Sequence, residues 1–85
     1  MSYILQYEKR VFKDLDRIPK RDLIRIDKAI QSLAVNPLPM DVKKLVGETQ
    51  LFRVRQGDYR IIYSIDPVSK MVQIIAVRHR KEAYR

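Results

Sequence analysis

The sequence predicts a single α+β domain, in which an antiparallel helical hairpin packs on one face of an antiparallel sheet. Two amphipathic segments with helical periodicity lie in the first half of the chain, and three β-rich segments with short turns occupy the second half. Consecutive helices followed by consecutive strands are typical of α+β proteins, because α/β proteins alternate the two. The 85 residues are enough for one domain, residues 1–85, and too few for two.

A strand and a helix are predicted at the N-terminus. The segment SYILQYE is β-rich and alternates two sets of side chains, as a strand does. Val11, Leu15 and Ile18 then recur at spacings of four and three, which places one apolar stripe along a helix. Pro19 stops this helix because proline has no amide hydrogen to donate. The predicted bounds are 2–8 for the strand and about 8–18 for the helix.

A second helix, at about 20–35, is the clearest periodic signal in the chain. Its apolar residues recur every three or four positions, at Leu23, Ile26, Ile30 and Leu33. Asp22 lies in the first turn, where the helix dipole favours a carboxylate. Asn36 and Pro37 end the helix. The short link between the two helices predicts that they form an antiparallel hairpin.

Residues 37–50 contain prolines, a glycine and charges, and are predicted to be a loop. Three antiparallel strands are predicted after it, separated by the turn sequences QGD and DPVSK. The two helices should cover one face of the resulting sheet, and a short C-terminal tail or helical turn should follow it. The predicted strands are 50–56, 58–66 and 71–78.

The charge of the chain favours a polyanion or an acidic protein as partner. Eighteen Lys and Arg against ten Asp and Glu give a net charge of +8, and +5 of it lies in residues 51–85. The sequence has no cysteine and one histidine, which excludes disulfides, thiolate metal sites and a histidine-rich metal cluster, so no metal or cofactor is expected. The apolar run at the N-terminus is too short for a signal peptide or a membrane span, so a cytoplasmic protein without membrane contact is expected.

Three arginines fall within the predicted hairpin RVRQGDYRIIY. Side chains alternate across a strand, and a two-residue turn at the glycine would place Arg53 and Arg55 on the same face as Arg60. A three-residue loop would reverse that register. Like charges paired across strands destabilise a sheet, although an exposed arginine face also protects against aggregation. The alternative reason for such a face is that a guanidinium group binds phosphate with two hydrogen bonds.

The C-terminal run AVRHRKEAYR strengthens the phosphate-binding interpretation. It combines basic side chains with a histidine, which titrates near neutral pH, and an aromatic ring able to stack on a base. A basic tail can also serve only solubility, and a lone histidine is more often structural. The residues of this run expected to contact RNA are Arg78, Lys81 and Arg85.

The two segments LFRVRQGDYRIIYSID and AVRHRKEAYR resemble the RelE/ParE superfamily of toxin–antitoxin toxins. LDRIPK in the first helix and VKKLVG before the hairpin support the resemblance, which spans nearly the whole chain. The fold that the resemblance implies agrees with the one predicted from the residues. RelE-like and ParE-like members share these segments, so the segments leave the target open.

The resemblance implies a toxin with one of two targets. RelE-like members cleave mRNA in the ribosomal A site without a metal, by attack of a ribose 2′-hydroxyl on the adjacent phosphate, and ParE-like members inhibit DNA gyrase. The mRNA interferase is favoured here, with the gyrase inhibitor as the alternative and a non-toxic nucleic-acid-binding module as a further one. The resemblance also implies a cognate antitoxin as partner, and contact with operator DNA only through the toxin–antitoxin complex.

The resemblance assigns the basic pair of the RelE-like catalytic site to Arg53 and Arg55, and the arginine of the next strand to Arg60. RelE-like toxins have lysines where Arg53 and Arg55 stand, and one of those lysines is a proposed general base. Arginine remains protonated, so here the pair would stabilise negative charge on phosphorus instead of accepting a proton. The general base is therefore left open.

The C-terminal part of the site is assigned from the tail. The catalytic arginine near the end of the last strand falls most naturally on Arg80, with Arg78 as the alternative, and the catalytic tyrosine is Tyr84. His79 is a tentative catalytic acid or base, and Glu82 is the other local candidate. Strict strand alternation would turn His79 inward with Val77 and Ile75, away from the arginines.

Overall fold

The computed structural model describes residues 2–45 and 51–81 as two helices and five strands in one mixed sheet, which confirms the α+β class. The observed bounds lie within one or two residues of the predicted ones. In chain order the elements are β1 (Ile4–Tyr7), α1 (Lys9–Asp16), α2 (Lys20–Val35), β2 (Lys43–Lys44), β3 (Leu51–Gln56), β4 (Tyr59–Asp66) and β5 (Met71–His79).

The strands lie side by side in the order β1-β5-β4-β3-β2. The three predicted strands β3, β4 and β5 are antiparallel neighbours, as expected. Strand β1 pairs with β5 in parallel, with Ile4 opposite Met71 and Tyr7 opposite Ile74. The chain between β1 and β5 includes both helices and three strands, which is long enough for the parallel pairing, because parallel neighbours cannot be joined by a tight turn.

Strand β2 corrects the prediction that residues 37–50 form a loop. Within the part of this segment that the structure describes, Lys43 pairs with Arg53 and Lys44 pairs with Phe52. A two-residue strand made of lysines has neither the alternation nor the β-branched residues that would identify it in a sequence. The hydrogen bonds of the neighbouring strand β3 therefore define it.

The first helix ends at Asp16, two residues before its predicted end, and Pro19 caps the start of α2. The residue before a proline is disfavoured in the helical conformation, so Ile18 cannot continue α1. Proline at the entrance of a helix loses no hydrogen bond, because the first amide groups of a helix have no partner within it. The bounds of α2 match the prediction.

Both helices cover the same face of the sheet, as predicted. Val11 from α1, Ile18 from the link between the helices, and Ile26, Ile30 and Leu33 from α2 are almost completely buried in the core. From the sheet, Val54, Ile61, Tyr63, Val72, Ile74 and Val77 complete this core. Neither α1 nor α2 covers the opposite face of the sheet, which holds the arginines, so the alternation of each strand separates the core from the charge.

One irregularity interrupts the alternation of β5. Ile62 faces Ala76 and Tyr63 faces Ile74, so Ile75 is an extra residue on β5. Such a bulge shifts the alternation by one position. Ile74 and Val77 consequently face the helices on either side of it, whereas strict alternation would have paired Val77 with Ile75.

Tyr63 anchors the segment that follows α2. Its ring is fully buried and packs against Phe52, and its hydroxyl donates a hydrogen bond of 2.7 Å to the Pro37 carbonyl. Burial raises the pKa of Tyr63 above its usual range, and the negative charge of Asp41 adds to this effect. The neutral hydroxyl therefore connects the sheet to the chain that leads into β2.

We expect Tyr63→Phe to lower the free energy of unfolding by about 0.5–1.5 kcal/mol, because it keeps the ring and removes one hydrogen bond. The unfolded chain ionises this tyrosine near pH 10, before the folded chain does, so the contribution of Tyr63 to stability is present below pH 10 and is lost as pH rises further. Urea unfolding at neutral pH and above pH 10 measures both effects.

The matched control is Tyr3→Phe, which removes a hydroxyl from a less buried ring. It should change stability less, and it should keep the decline in stability above pH 10. An equal loss of stability in both variants would contradict the anchoring role of the Tyr63 hydroxyl.

Candidate functional site

The turn between β3 and β4 decides where the arginines lie. Gln56 pairs with Tyr59, so Gly57 and Asp58 form a two-residue turn, and the φ of Gly57 is +60°. Glycine adopts positive φ without a steric penalty, whereas other residues rarely do. The two-residue turn confirms the favoured register: Arg55 lies directly opposite Arg60.

The same face continues onto β5, where Arg78 lies directly opposite Arg60. Arg53 belongs to this face as well, because it and Arg55 are two positions apart on one strand. The four side chains that form this arginine cluster are Arg53, Arg55, Arg60 and Arg78.

Arg80, predicted as the catalytic arginine near the end of the last strand, lies beside the hairpin turn and is not one of the four residues of the arginine cluster. It follows the end of β5, where its backbone amide donates a hydrogen bond of 2.7 Å to the Asp58 carbonyl. Its Nε atom lies 3.8 Å from Oδ1 of Asp58 in an ion pair in which both side chains are more than half exposed. Arg80 thus contacts the hairpin turn, and Arg78, the alternative, occupies the position beside Arg60.

Two adjoining cavities lie along the arginine cluster. The larger, of about 330 Å³, combines basic walls that include Arg10 and Arg78 with apolar side chains such as Ile62. The other has a volume of about 250 Å³. Arg53 and Arg60 line both cavities. The residues lining the second cavity are Asp41, Lys43, Arg53, Arg55 and Arg60.

Asp41, Lys43 and Arg10 are site residues that sequence reasoning missed. Lys43 reaches this face because it pairs with Arg53, and directly opposed residues share a face. Asp41 precedes Lys43 by two positions and lines the same cavity. In the sequence, the available signal was that Asp41 and Lys43 are two positions apart, as residues on one face of a strand are. A single such pair is too short a pattern to distinguish a strand from a loop.

The electrostatics of this face are unfavourable for stability and suited to an anion. Three pairs of like charge are directly opposed across strands: Lys43 with Arg53, Arg55 with Arg60, and Arg60 with Arg78. Each such pair costs roughly 0.2–1 kcal/mol relative to a neutral pair. An anion within the cluster would relieve this repulsion, and guanidinium groups bind phosphate with defined geometry.

His79 lies on the opposite face of the sheet, which corrects its tentative placement beside the arginines. It pairs with Tyr59, and the two rings meet edge to face with their centroids 5.2 Å apart. Its other neighbours around a small cavity on the helix side include Asp14 and Arg17. Alternation predicts that His79 shares the face of Val77, and the bulge at Ile75 makes this the same face as that of Val72 and Ile74, toward the helices.

The C-terminal tail is described only as far as Lys81, which is exposed and whose backbone amide donates a hydrogen bond of 3.2 Å to Nδ1 of His79. The predicted catalytic Tyr84 and RNA-binding Arg85, together with Glu82, lie outside the described residues.

Within residues 2–45 and 51–81, no three His, Cys, Asp or Glu side chains group together to hold a metal ion. Among the helices of the same residues, none is long and apolar enough to cross a membrane.

Known proteins are similar to this sequence over nearly its full length. Residues 5–84 match the family described as the ParE toxin of the type II toxin–antitoxin system parDE. The chain is 33% identical over 82 residues to toxin RelE3 of Methanocaldococcus jannaschii, which covers 92% of this chain and 91% of that toxin. It is 32% identical over 89 residues to toxin RelG of Mycobacterium tuberculosis, which covers 100% of this chain and 99% of that toxin.

Solved structures of the same family have a similar fold. A chain of the archaeal RelE–RelB complex from Pyrococcus horikoshii superimposes with a TM-score of 0.83 at 35% identity, over 94% of this chain and 97% of that one. The match of sequence and fold over the same residues identifies the protein's lineage. This chain belongs to the RelE/ParE superfamily of toxins from type II toxin–antitoxin systems.

Proposed function

We propose that this toxin is a ribosome-dependent endoribonuclease that cleaves mRNA without a metal ion and so inhibits translation. The observation that carries the proposal is the arginine cluster, which gathers four guanidinium groups on one sheet face beside Lys43. A cluster of this kind supplies what a phosphoryl-transfer reaction needs most, namely positioned positive charge around the reacting phosphate.

The arginines would bind the phosphate, and the substrate would supply the nucleophile. A guanidinium group donates hydrogen bonds and has no acceptor, so the cluster binds the scissile phosphate and stabilises the charge that develops on it. The nucleophile comes from the substrate as the ribose 2′-hydroxyl, which confines the reaction to RNA. Arg53 and Arg60 line both cavities, which supports the proposal that these two arginines contact the scissile phosphate.

Inhibition of DNA gyrase is the second candidate function, and the match of residues 5–84 to the ParE family favours it. Two similar proteins above 30% identity carry the RelE name, toxin RelE3 and the RelE–RelB complex from Pyrococcus horikoshii, and they favour mRNA cleavage instead. Two assays separate the candidates: cleavage of mRNA on a programmed ribosome, and supercoiling by purified gyrase. Gyrase inhibition with intact mRNA would overturn the ribonuclease proposal.

A cognate antitoxin is the proposed protein partner. The similar chain from Pyrococcus horikoshii was solved as a RelE–RelB complex. The net charge of +8 on the present chain would speed its encounter with an acidic antitoxin segment. Contact with operator DNA is proposed only through the toxin–antitoxin complex.

Arg60→Ala should reduce cleavage of mRNA by about 10²–10³-fold, the usual cost of removing one preorganised donor from a transition state. The fold should persist, because Arg60 projects from the helix-free face between two other arginines. Single-turnover cleavage on programmed ribosomes and thermal unfolding measure the two effects separately. A melting temperature that falls together with activity would indicate a structural arginine.

The matched control is Arg25→Ala, which removes an exposed arginine from α2. It changes the net charge equally and should leave the cleavage rate within a few-fold of the original protein. Comparable losses in both variants would mean that overall charge, and not the arginine cluster, determines activity.

Binding to single-stranded RNA should weaken steeply with salt, by roughly 0.7 in the log–log slope for each phosphate contacted. Replacing Arg53 and Arg55 together by alanine should therefore make the slope shallower by about 1.4. The control is the double replacement of Arg21 and Arg25 on α2. An unchanged slope after loss of Arg53 and Arg55 would show that RNA binds elsewhere.

A further inference from the structure

The arginine cluster leaves one chemical task without a group to perform it. The proposed reaction must remove the proton of the 2′-hydroxyl, and a guanidinium group cannot accept it. His79, the tentative candidate, faces the helices. Among the described residues that line the two cavities along the cluster, one carries a carboxylate: Asp41.

We infer that Asp41 is the general base that accepts the proton of the attacking 2′-hydroxyl. The inference deepens the proposed ribonuclease function and rests on it. Asp41 shares a cavity of about 250 Å³ with Arg53, Arg55 and Arg60, so a phosphate held by these arginines has a carboxylate beside it. Lys43 also lines this cavity. Its ammonium group donates hydrogen bonds and accepts none, so it is suited to bind phosphate.

The fold holds Asp41 in place from both sides along the chain. Upstream, the Pro37 carbonyl accepts the hydrogen bond of the buried Tyr63 hydroxyl, and the Val42 amide bonds the Pro39 carbonyl at 3.1 Å. Downstream, Lys43 pairs with Arg53 in the sheet. A carboxylate positioned by the scaffold in this way is more effective than one on an unrestrained loop, since a general base must lie within hydrogen-bond reach of its proton.

The reaction can be balanced with this residue and water. The Asp41 carboxylate takes the proton of the 2′-hydroxyl while the 2′-oxygen bonds to the adjacent phosphorus. The bond from phosphorus to the 5′-oxygen breaks, and the departing oxygen takes a proton from water. The hydroxide formed then takes the proton from the Asp41 carboxylic acid, which restores the carboxylate. The products are a 2′,3′-cyclic phosphate and a 5′-hydroxyl.

The titratable and charged groups near Asp41 come from three strands, with Lys43 on β2, Arg53 and Arg55 on β3, and Arg60 and Tyr63 on β4. The basic groups among them offer a second explanation for an acid at this position, because a carboxylate could merely orient the arginines. Both roles need the ionised carboxylate, so they differ in the step that they affect. Loss of a general base slows the chemical step at saturating toxin, whereas loss of an orienting group also weakens binding.

The test uses the full chain on programmed ribosomes, with cleavage measured in single turnover at saturating toxin across a range of pH. Asp41→Asn keeps the size of the side chain and should slow cleavage by about 10²–10⁴-fold, the usual contribution of a positioned acid or base. Ribosome binding should be retained, and the rise of the rate with pH that a carboxylate base should give the original protein should disappear. Asp41→Glu, which restores a carboxylate, should recover part of the rate and the pH dependence.

The control is Asp16→Asn, which removes an exposed carboxylate from the last residue of α1 and should cleave at the original rate. Cleavage by Asp41→Asn at the original rate would overturn the inference, as would a slow variant that keeps the original pH profile. Failure of the unaltered protein to cleave mRNA would instead overturn the ribonuclease proposal itself, so the two failures are distinguishable.

Discussion

The two-residue turn at Gly57 and Asp58 is the constraint on which the separation of core and site depends. It places Val54 opposite Ile61 on the helix side and Arg55 opposite Arg60 on the other side. Because side chains alternate with a period of two, one more residue in this turn would exchange the faces and bury the guanidinium groups. The positive φ of Gly57 thus supports both the hydrophobic core and the arginine cluster.

The arginine cluster is a source of instability that the rest of the small domain must offset. Three opposed pairs of like charge cost roughly 0.2–1 kcal/mol each. The opposite face of the sheet compensates, since side chains such as Ile61 and Ile74 have no exposed surface, and each buried aliphatic side chain contributes roughly 1.5–3 kcal/mol. The sheet therefore provides stability on one face and concentrates positive charge on the other.

The bulge at Ile75 has the largest effect on the composition of the site. It keeps Val77 and His79 on the helix side, where His79 meets the ring of Tyr59. It leaves Arg78 on the helix-free face beside Arg60. Asp14 completes this region by accepting a hydrogen bond of 3.0 Å from the Val77 amide. A single inserted residue thus separates the imidazole from the guanidinium groups.

The sequence by itself determined the local features, because they depend on periodicity and turn length. The stripe of α2, the hairpin register and the shared face of Arg53, Arg55 and Arg60 all follow from such short-range patterns. Only the tertiary structure decided the parallel pairing of β1, the edge strand that brings Lys43 beside Arg53, and the position of Arg78 opposite Arg60. These features depend on backbone hydrogen bonds between segments that are distant in the chain. Such a pairing, or a bulge of one residue, leaves no mark in the local pattern of apolar residues, so the sequence does not reveal it.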